Sequence, residues 1–234
     1  MKYNPSRVHP VTPAGAEEAE HQPASIPVDG ILLAGELSIV PQSKGIVLFA
    51  HGSGSSRHSP RNQFVAGVIQ SSGTSTLLFD LLTPEEEEAD ERDGHLRFDI
   101  ELLARRLVAA TRWLDQQGST RHQGIGYFGS STGGAAALVA AAELGGEIDA
   151  VVSRGGRPDL AGPALPRVTA PTLLIVGGRD NLVLELNRDA LDQLRCKKQI
   201  IVVPGATHLF EEHGALEEVA ALSAGWFRQY LRAR

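Results

Sequence analysis

Six short, uninterrupted apolar runs, separated by stretches of helical spacing, constrain this chain more than any other feature. They fall at residues 46–50, 76–79, 125–128, 150–152, 173–176 and 200–203. Such runs, without polar alternation, suit strands buried on both faces. Between them, Phe64, Val65, Val68 and Ile69 form one apolar stripe, and Ile100, Leu103, Leu107, Ala110 and Leu114 form another. The small-residue stretch 135–144, stopped by Gly145-Gly146, and residues 184–194 and 216–231 complete the helical set. Strands alternating with helices predict an α/β architecture, a mostly parallel sheet with helices on both faces. Ahead of the first run, residues 25–28 and 31–40 flank Asp29-Gly30, a hairpin signal that supplies an antiparallel N-terminal edge. Residues 1–24, rich in Pro, Glu, Gln and Ala, lack apolar periodicity and read as a flexible arm. Residues 25–234 then form a single domain.

Charge and cysteine content narrow the class of partner. Lys and Arg number 22 against 28 Asp and Glu, a formal charge of −6. That balance argues against nucleic-acid and anionic-membrane binding. The single cysteine, Cys196, excludes an intramolecular disulfide and suits a cytoplasmic location. No apolar run approaches the ~20 residues of a membrane span, and the first residues carry no signal-peptide core. A small-molecule substrate is the expected partner. An edge strand or the final helix would allow a homodimer. Trp226, Phe227 and Tyr230 recur on one helical stripe and read as core-facing.

In sheets of this kind, sites form at the carboxyl ends of the strands. There the sequence places Gly129-Ser130-Ser131-Thr132-Gly133, a G-x-S-x-G pattern between a predicted strand and a predicted helix. Small neighbours let the chain fold back tightly around the central serine. Ser131 is thus the candidate nucleophile; Ser130, in its own register, would have its glycines misplaced. A serine hydroxyl needs a base. His208 follows the last strand and is favoured over His213, which adjoins an acidic pair. Asp180, after the preceding strand, would orient the imidazole, with Asp159 as its rival. The tetrahedral intermediate needs N–H donors. Thr132 N–H, at the helix start, and Ser53 N–H, in the loop after residue 50, are the candidates, with Gly54 as the alternative to Ser53. His51 and His58 could be read as metal ligands, but no carboxylate or cysteine sits at ligand spacing. No metal and no cofactor are expected, and His51 reads as a hydrogen-bonded tie for its loop.

These features resemble the α/β-hydrolase superfamily, and within it the small dienelactone-hydrolase-like branch. The resemblance runs from about Ser25 to the C-terminus. It is carried by His51-Gly52-Ser53-Gly54 and the residues through Asn62, by Leu78-Phe79-Asp80-Leu81-Leu82-Thr83, and by the serine motif. Ser153-Arg154-Gly155-Gly156-Arg157-Pro158-Asp159, Gly177-Gly178-Arg179-Asp180 and Gly205-Ala206-Thr207-His208 extend it. The resemblance implies an α/β-hydrolase fold and cofactor-free hydrolysis of esters, lactones or thioesters. One position departs from it: dienelactone hydrolases use a cysteine nucleophile, and here the position is Ser131. That favours a general carboxylic-ester hydrolase.

Between residues 152 and 173 lie four prolines and several glycines, so no large cap is expected. The acidic run Glu85-Glu86-Glu87-Glu88, continuing through Asp90, Glu91 and Asp93, reads as a solvated loop or the first turn of the Ile100 helix, with a gating role as the alternative. Arg57, Arg61, Arg154 and Arg157 fall in site-facing loops. Arg57 or Arg154, with Gly54, is expected either to bind a substrate carboxylate or phosphate or to lock the loops through Asp80 or Asp159. The expected function is a serine hydrolase cleaving small carboxylic esters through an acyl-enzyme. A thioesterase or lactonase is the nearest alternative, and a non-catalytic ligand receptor on the same fold is a further one.

Overall fold

The computed structural model describes residues 19–234, apart from the side chain of Asp93. The chain opens with β1 (Glu20–Val28), β2 (Ile31–Ile39), β3 (Gly45–Ala50), α1 (Pro60–Ser71) and β4 (Ser75–Phe79). Then follow α2 (Pro84–Asp93), α3 (Ile100–Asp115), β5 (Gly124–Ser130), α4 (Thr132–Leu144) and β6 (Ile148–Arg154). A 3-10 stretch (Pro158–Arg167), β7 (Thr172–Gly177), α5 (Asn181–Gln193), β8 (Lys198–Val203) and α6 (Ala215–Tyr230) close it. The eight strands form one sheet in the order β1-β2-β4-β3-β5-β6-β7-β8. Pairing is antiparallel from β1 to β2 and from β2 to β4, and parallel from there to β8. This is the α/β-hydrolase arrangement.

The hairpin turns where expected. Asp29 (φ 50°) and Gly30 (φ 84°) both adopt the left-handed region, and Val28 pairs with Ile31. Two positive φ values mark the type I′ turn, whose twist matches the flanking strands. The strand itself starts earlier than residue 25: Glu20 pairs with Ile39 and Pro23 with Glu36. Residues 20–23 are exposed, so no apolar alternation betrays them. Backbone pairing holds them, and Pro23 is tolerated because β1 is the sheet edge. The remainder of the expected arm, residues 1–18, lies outside the described residues.

Both faces of the sheet are buried, and strand alternation sorts the core in two. Ile46, Leu48, Tyr127, Val151 and Leu174 pack with Leu103, Leu107 and the alanines of α4. Val47, Phe49, Phe128, Val152 and Ile175 pack with Val65 and Ile69 of α1 and Val219 and Phe227 of α6. Trp226 and Phe227 are buried as the stripe predicts, and Tyr230 leans on Trp226 with ring centroids 4.7 Å apart. The connection from β6 to β7 is residues 155–171 and its one element is a ten-residue 3-10 stretch, so it holds no large cap. No helix among the described residues is long and apolar enough to cross a membrane.

The acidic run is neither a loop nor the start of the Ile100 helix. It is a helix of its own, α2. Thr83 caps it: the hydroxyl accepts from Glu86 N–H, and the Glu86 carboxylate accepts from Thr83 N–H. This reciprocal box satisfies two orphan amides. Pro84 suits the first turn, and Gly94 (φ 69°) ends the helix in the left-handed region. Three glutamates in the first turn complement the helix dipole.

Candidate active site

Ser131 joins β5 to α4 with φ 51° and ψ −123°. A non-glycine residue held there costs about 1–3 kcal/mol and persists only where its surroundings over-determine it. They do so here by close packing. A Cβ on Gly129 would come within 2.6 Å of Gly134 Cα, and one on Gly133 within 2.6 Å of the His51 carbonyl. A Cβ on Gly52 would lie 2.9 Å from Ser131 Cβ. The turn is also tied to β6: Ser131 N–H donates to the Arg154 carbonyl (3.4 Å), and the Ser131 carbonyl accepts from Arg157 N–H (3.0 Å). Ser130 is buried and Ser131 partly exposed, which selects Ser131 as the presented hydroxyl.

Asp180 at the tip of β7 and His208 in the loop after β8 meet, with Asp180 Oδ2 2.7 Å from His208 Nδ1. Their loops are bound together by Gly178 N–H to the Val203 carbonyl and Arg179 N–H to the Ala206 carbonyl, both 2.9 Å. The rivals are placed elsewhere. Asp159 takes a two-pronged bond from Arg157 (2.8 and 2.7 Å), and His213 is exposed. Phe210 anchors the histidine loop. It is buried, with φ 55°, a strained value for a bulky residue. Gly155 sits beneath both: a Cβ there would lie 3.4 Å from the Phe210 ring and 3.5 Å from His208 Nδ1. His208 therefore packs one residue away from the carbonyl that anchors Ser131.

The expected amide donors sit together, with one correction. Thr132 occupies the first turn of α4, where N–H groups lack helical acceptors. Ser53 N–H is not free: it donates to Thr132 Oγ1 at 3.1 Å. The buried threonine hydroxyl holds the loop in place. Gly54 (φ 67°) turns that loop, helped by Ser55 N–H on the Gly52 carbonyl (3.2 Å). His51 is the tie expected of it. Its Nε2 accepts from Leu81 N–H (2.9 Å), so Nδ1 carries the proton and donates to the Gly52 carbonyl (3.0 Å). Burial holds the imidazole below its usual pKa, against the opposing pull of the Gly52 carbonyl and Asp80. With both nitrogens engaged, it has no lone pair to offer a metal.

Beside these donors opens a cavity of about 300 Å³. Residues 51–56 and Thr132 form one wall, Leu81, Leu82 and Leu103 an apolar one, and Glu87, Asp90 and Glu91 of α2 with Arg97 an acidic one. The contribution of α2 is what the sequence reading missed; the capping signature at Thr83 and Glu86 was its one visible sign. Two ion pairs fix the helix. Arg106, buried in α3, grips the Glu86 carboxylate and the Leu81 carbonyl. Asp90, also buried, accepts from Leu96 N–H (2.6 Å) and pairs with Arg97. Burial pushes the Asp90 and Glu86 carboxyls up, but Arg97 and Arg106 outweigh it and hold both below their usual range. Glu87 lacks such a partner among the described residues. Burial and then Asp80 raise its pKa, against Arg57 and Arg97.

The two arginines expected at the site diverge. Arg57 binds Asp80 through both backbone (2.7 Å) and guanidinium, so it locks the loop and is not free to take a substrate anion. Arg154 makes no such lock: its buried guanidinium makes no bond to Asp80 or Asp159. Cys196 is half-buried near Thr172.

The dienelactone hydrolase family matches residues 36–230. A crystal structure described as a dienelactone hydrolase from Anabaena variabilis is 59% identical, covering 92% of this chain and 100% of that one, with a TM-score of 0.90. A Mycobacterium tuberculosis protein provisionally named a phosphoribosyl transferase is 56% identical over 94% of this chain but only 47% of its own length. The chain thus spans about half of that relative. A Bradyrhizobium protein, named with reservation as 2-oxo-3-(5-oxofuran-2-ylidene)propanoate lactonase, is 28% identical over 68% of this chain and 72% of its own.

Proposed function

Since the chain belongs to the dienelactone hydrolase family, we propose that it is a hydrolase and cleaves small carboxylic esters by way of a serine acyl-enzyme. The observation that carries this reading is the strained Ser131 turn beside the 2.7 Å His208–Asp180 pair. With Nδ1 facing the Asp180 carboxylate, His208 keeps Nε2 as its basic nitrogen. Ser131 Oγ attacks the carbonyl carbon while Nε2 takes its proton, and imidazolium then protonates the departing alcohol. Water repeats the sequence on the acyl-enzyme and returns the serine. Thr132 N–H supports the oxyanion from the start. Ser53 N–H joins it by leaving Thr132 Oγ1 for the stronger acceptor, and each such donor is worth about 100- to 1,000-fold in kcat.

A lactone is an internal ester and passes through the same steps. The names of the Bradyrhizobium and Anabaena proteins favour that second reading. The serine at 131 favours the open-chain ester. The cavity of about 300 Å³ suits a short acyl group.

The test is turnover of p-nitrophenyl acetate through hexanoate, matched thioesters and small lactones, with Ser131→Ala as control, alongside labelling by a fluorophosphonate. Ester turnover and labelling, both lost in Ser131→Ala, are expected. Labelling without turnover of any acyl compound would leave a ligand receptor on this fold.

A further inference from the structure

Arg154 is a buried cation with no anion among the described residues. Its residue is 8% exposed, and Nε and Nη1 have no hydrogen-bond acceptor. Other arginines that leave solvent have found carboxylates: Arg57 with Asp80, Arg97 with Asp90, Arg106 with Glu86. Arg154 instead faces the Phe210 ring, with Cζ 5.9 Å from its centroid, and a second arginine, Arg61. Burial and then Arg61 push its pKa down to about 10, which leaves it charged at neutral pH. Arg61 is itself half satisfied. Its Nε is buried without an acceptor, and its Nη1 holds the exposed Glu211 at 3.1 Å. An unpaired buried charge costs several kcal/mol, and a ring face returns only part of that.

Its position says which part of a substrate it could meet. Arg154 ends β6, in register with Ser130, and its carbonyl holds Ser131 N–H. By strand alternation its side chain shares the face of Val152, on the side of α1 and α6. The cavity beside Thr132 lies on the other side, against Leu81, Leu82 and Leu103 of the opposite core. An ester on Ser131 that places its acyl group in that cavity directs its leaving oxygen towards His208, which must protonate it. That is the side of Arg154.

We infer that Arg154 and Arg61 form a subsite for an oxyanion, carboxylate or phosphate, borne by the leaving-group half of the substrate. The inference rests on the serine-hydrolase reading. An arginine fork matches either anion. The arriving anion displaces Glu211 from Arg61 and accepts the guanidinium donors that now lack acceptors.

Three aryl acetates that share one acyl group test it: 4-acetoxybenzamide, 4-acetoxybenzoate and 4-acetoxyphenyl phosphate. The quantity read is kcat/KM for each anionic ester divided by that for the amide. Arg154→Met is expected to lower this ratio at least tenfold for one or both anions, with Arg154→Lys intermediate; the anion with the larger drop is the better fit. A ratio within twofold of wild type for both anions overturns the subsite. Should the buried variant fail to fold, Glu211→Gln replaces it. Removing that competitor lowers KM for the anionic esters two- to fivefold, and an unchanged KM counts against the proposal. If the wild-type protein turns over no ester, the hydrolase reading fails by itself. Calorimetry with 4-hydroxybenzoate and phenyl phosphate then decides the subsite: binding lost in Arg154→Met supports it, and no binding of either overturns it.

Discussion

On the cavity side of Ser131 three acids have cations, while Glu87 has none among the described residues. Glu86 takes Arg106, Asp90 takes Arg97, and Asp80 takes Arg57. On the histidine side the cations have too few acids among the described residues: Arg154 has none, and Arg61 shares one exposed glutamate. Both flanks border one serine and are built from loops of one sheet. Their difference separates charge used to build from charge held for binding. Paired charges close the cavity wall and ask nothing of a ligand. Unpaired ones are tolerable where a ligand completes them.

The contrast can be broken by experiment. The largest expected effect is that of Asp180→Asn, which leaves His208 without its carboxylate: kcat should fall about 10,000-fold, with the circular dichroism spectrum unchanged. Next come two substitutions of like chemistry on opposite flanks. Arg106→Met strands Glu86 and the Leu81 carbonyl and should cost about 3–5 kcal/mol in urea unfolding. Arg154→Met strands nothing and should leave stability equal or higher. Equal losses in the two would erase the distinction.

A smaller effect concerns pH. His51 has a folded pKa below the ~6.5 of the unfolded chain. The unfolded state therefore takes up the proton first, and stability drops as pH falls below ~6.5, until the folded histidine also protonates. Urea midpoints between pH 7 and 5 should show this fall in wild type and a shallower one in His51→Gln. The smallest effect is expected of Glu211→Ala. Its bond to Arg61 is solvent-facing, so stability should change by less than ~1 kcal/mol.

Much of this was legible in the sequence because it is local. The strands are runs of apolar residues, the hairpin is Asp29-Gly30, and the serine turn needs glycines at 129 and 133 whatever surrounds it. The start of β1 was not legible, because residues 20–23 are held by backbone pairing and bury nothing. Helix α2 hid because it has no apolar stripe; its capping box and ion pairs hold it. The bond from Ser53 to Thr132 joins residues 79 apart in sequence. The isolation of Arg154 is a property of what surrounds it in space, and no spacing of letters encodes it.

The sheet order carries a consequence for synthesis. From β5 onward each new strand adds to the outer edge in turn, β6, β7, β8. His208 is translated 77 residues after Ser131. At about 5–20 residues per second, that interval lasts roughly 4–15 seconds on the ribosome. Throughout it the strained serine has neighbours to pack against but lacks the histidine proposed as its base. On the proposed mechanism the last strand works as a built-in timer, arming the hydroxyl only once His208 has been made.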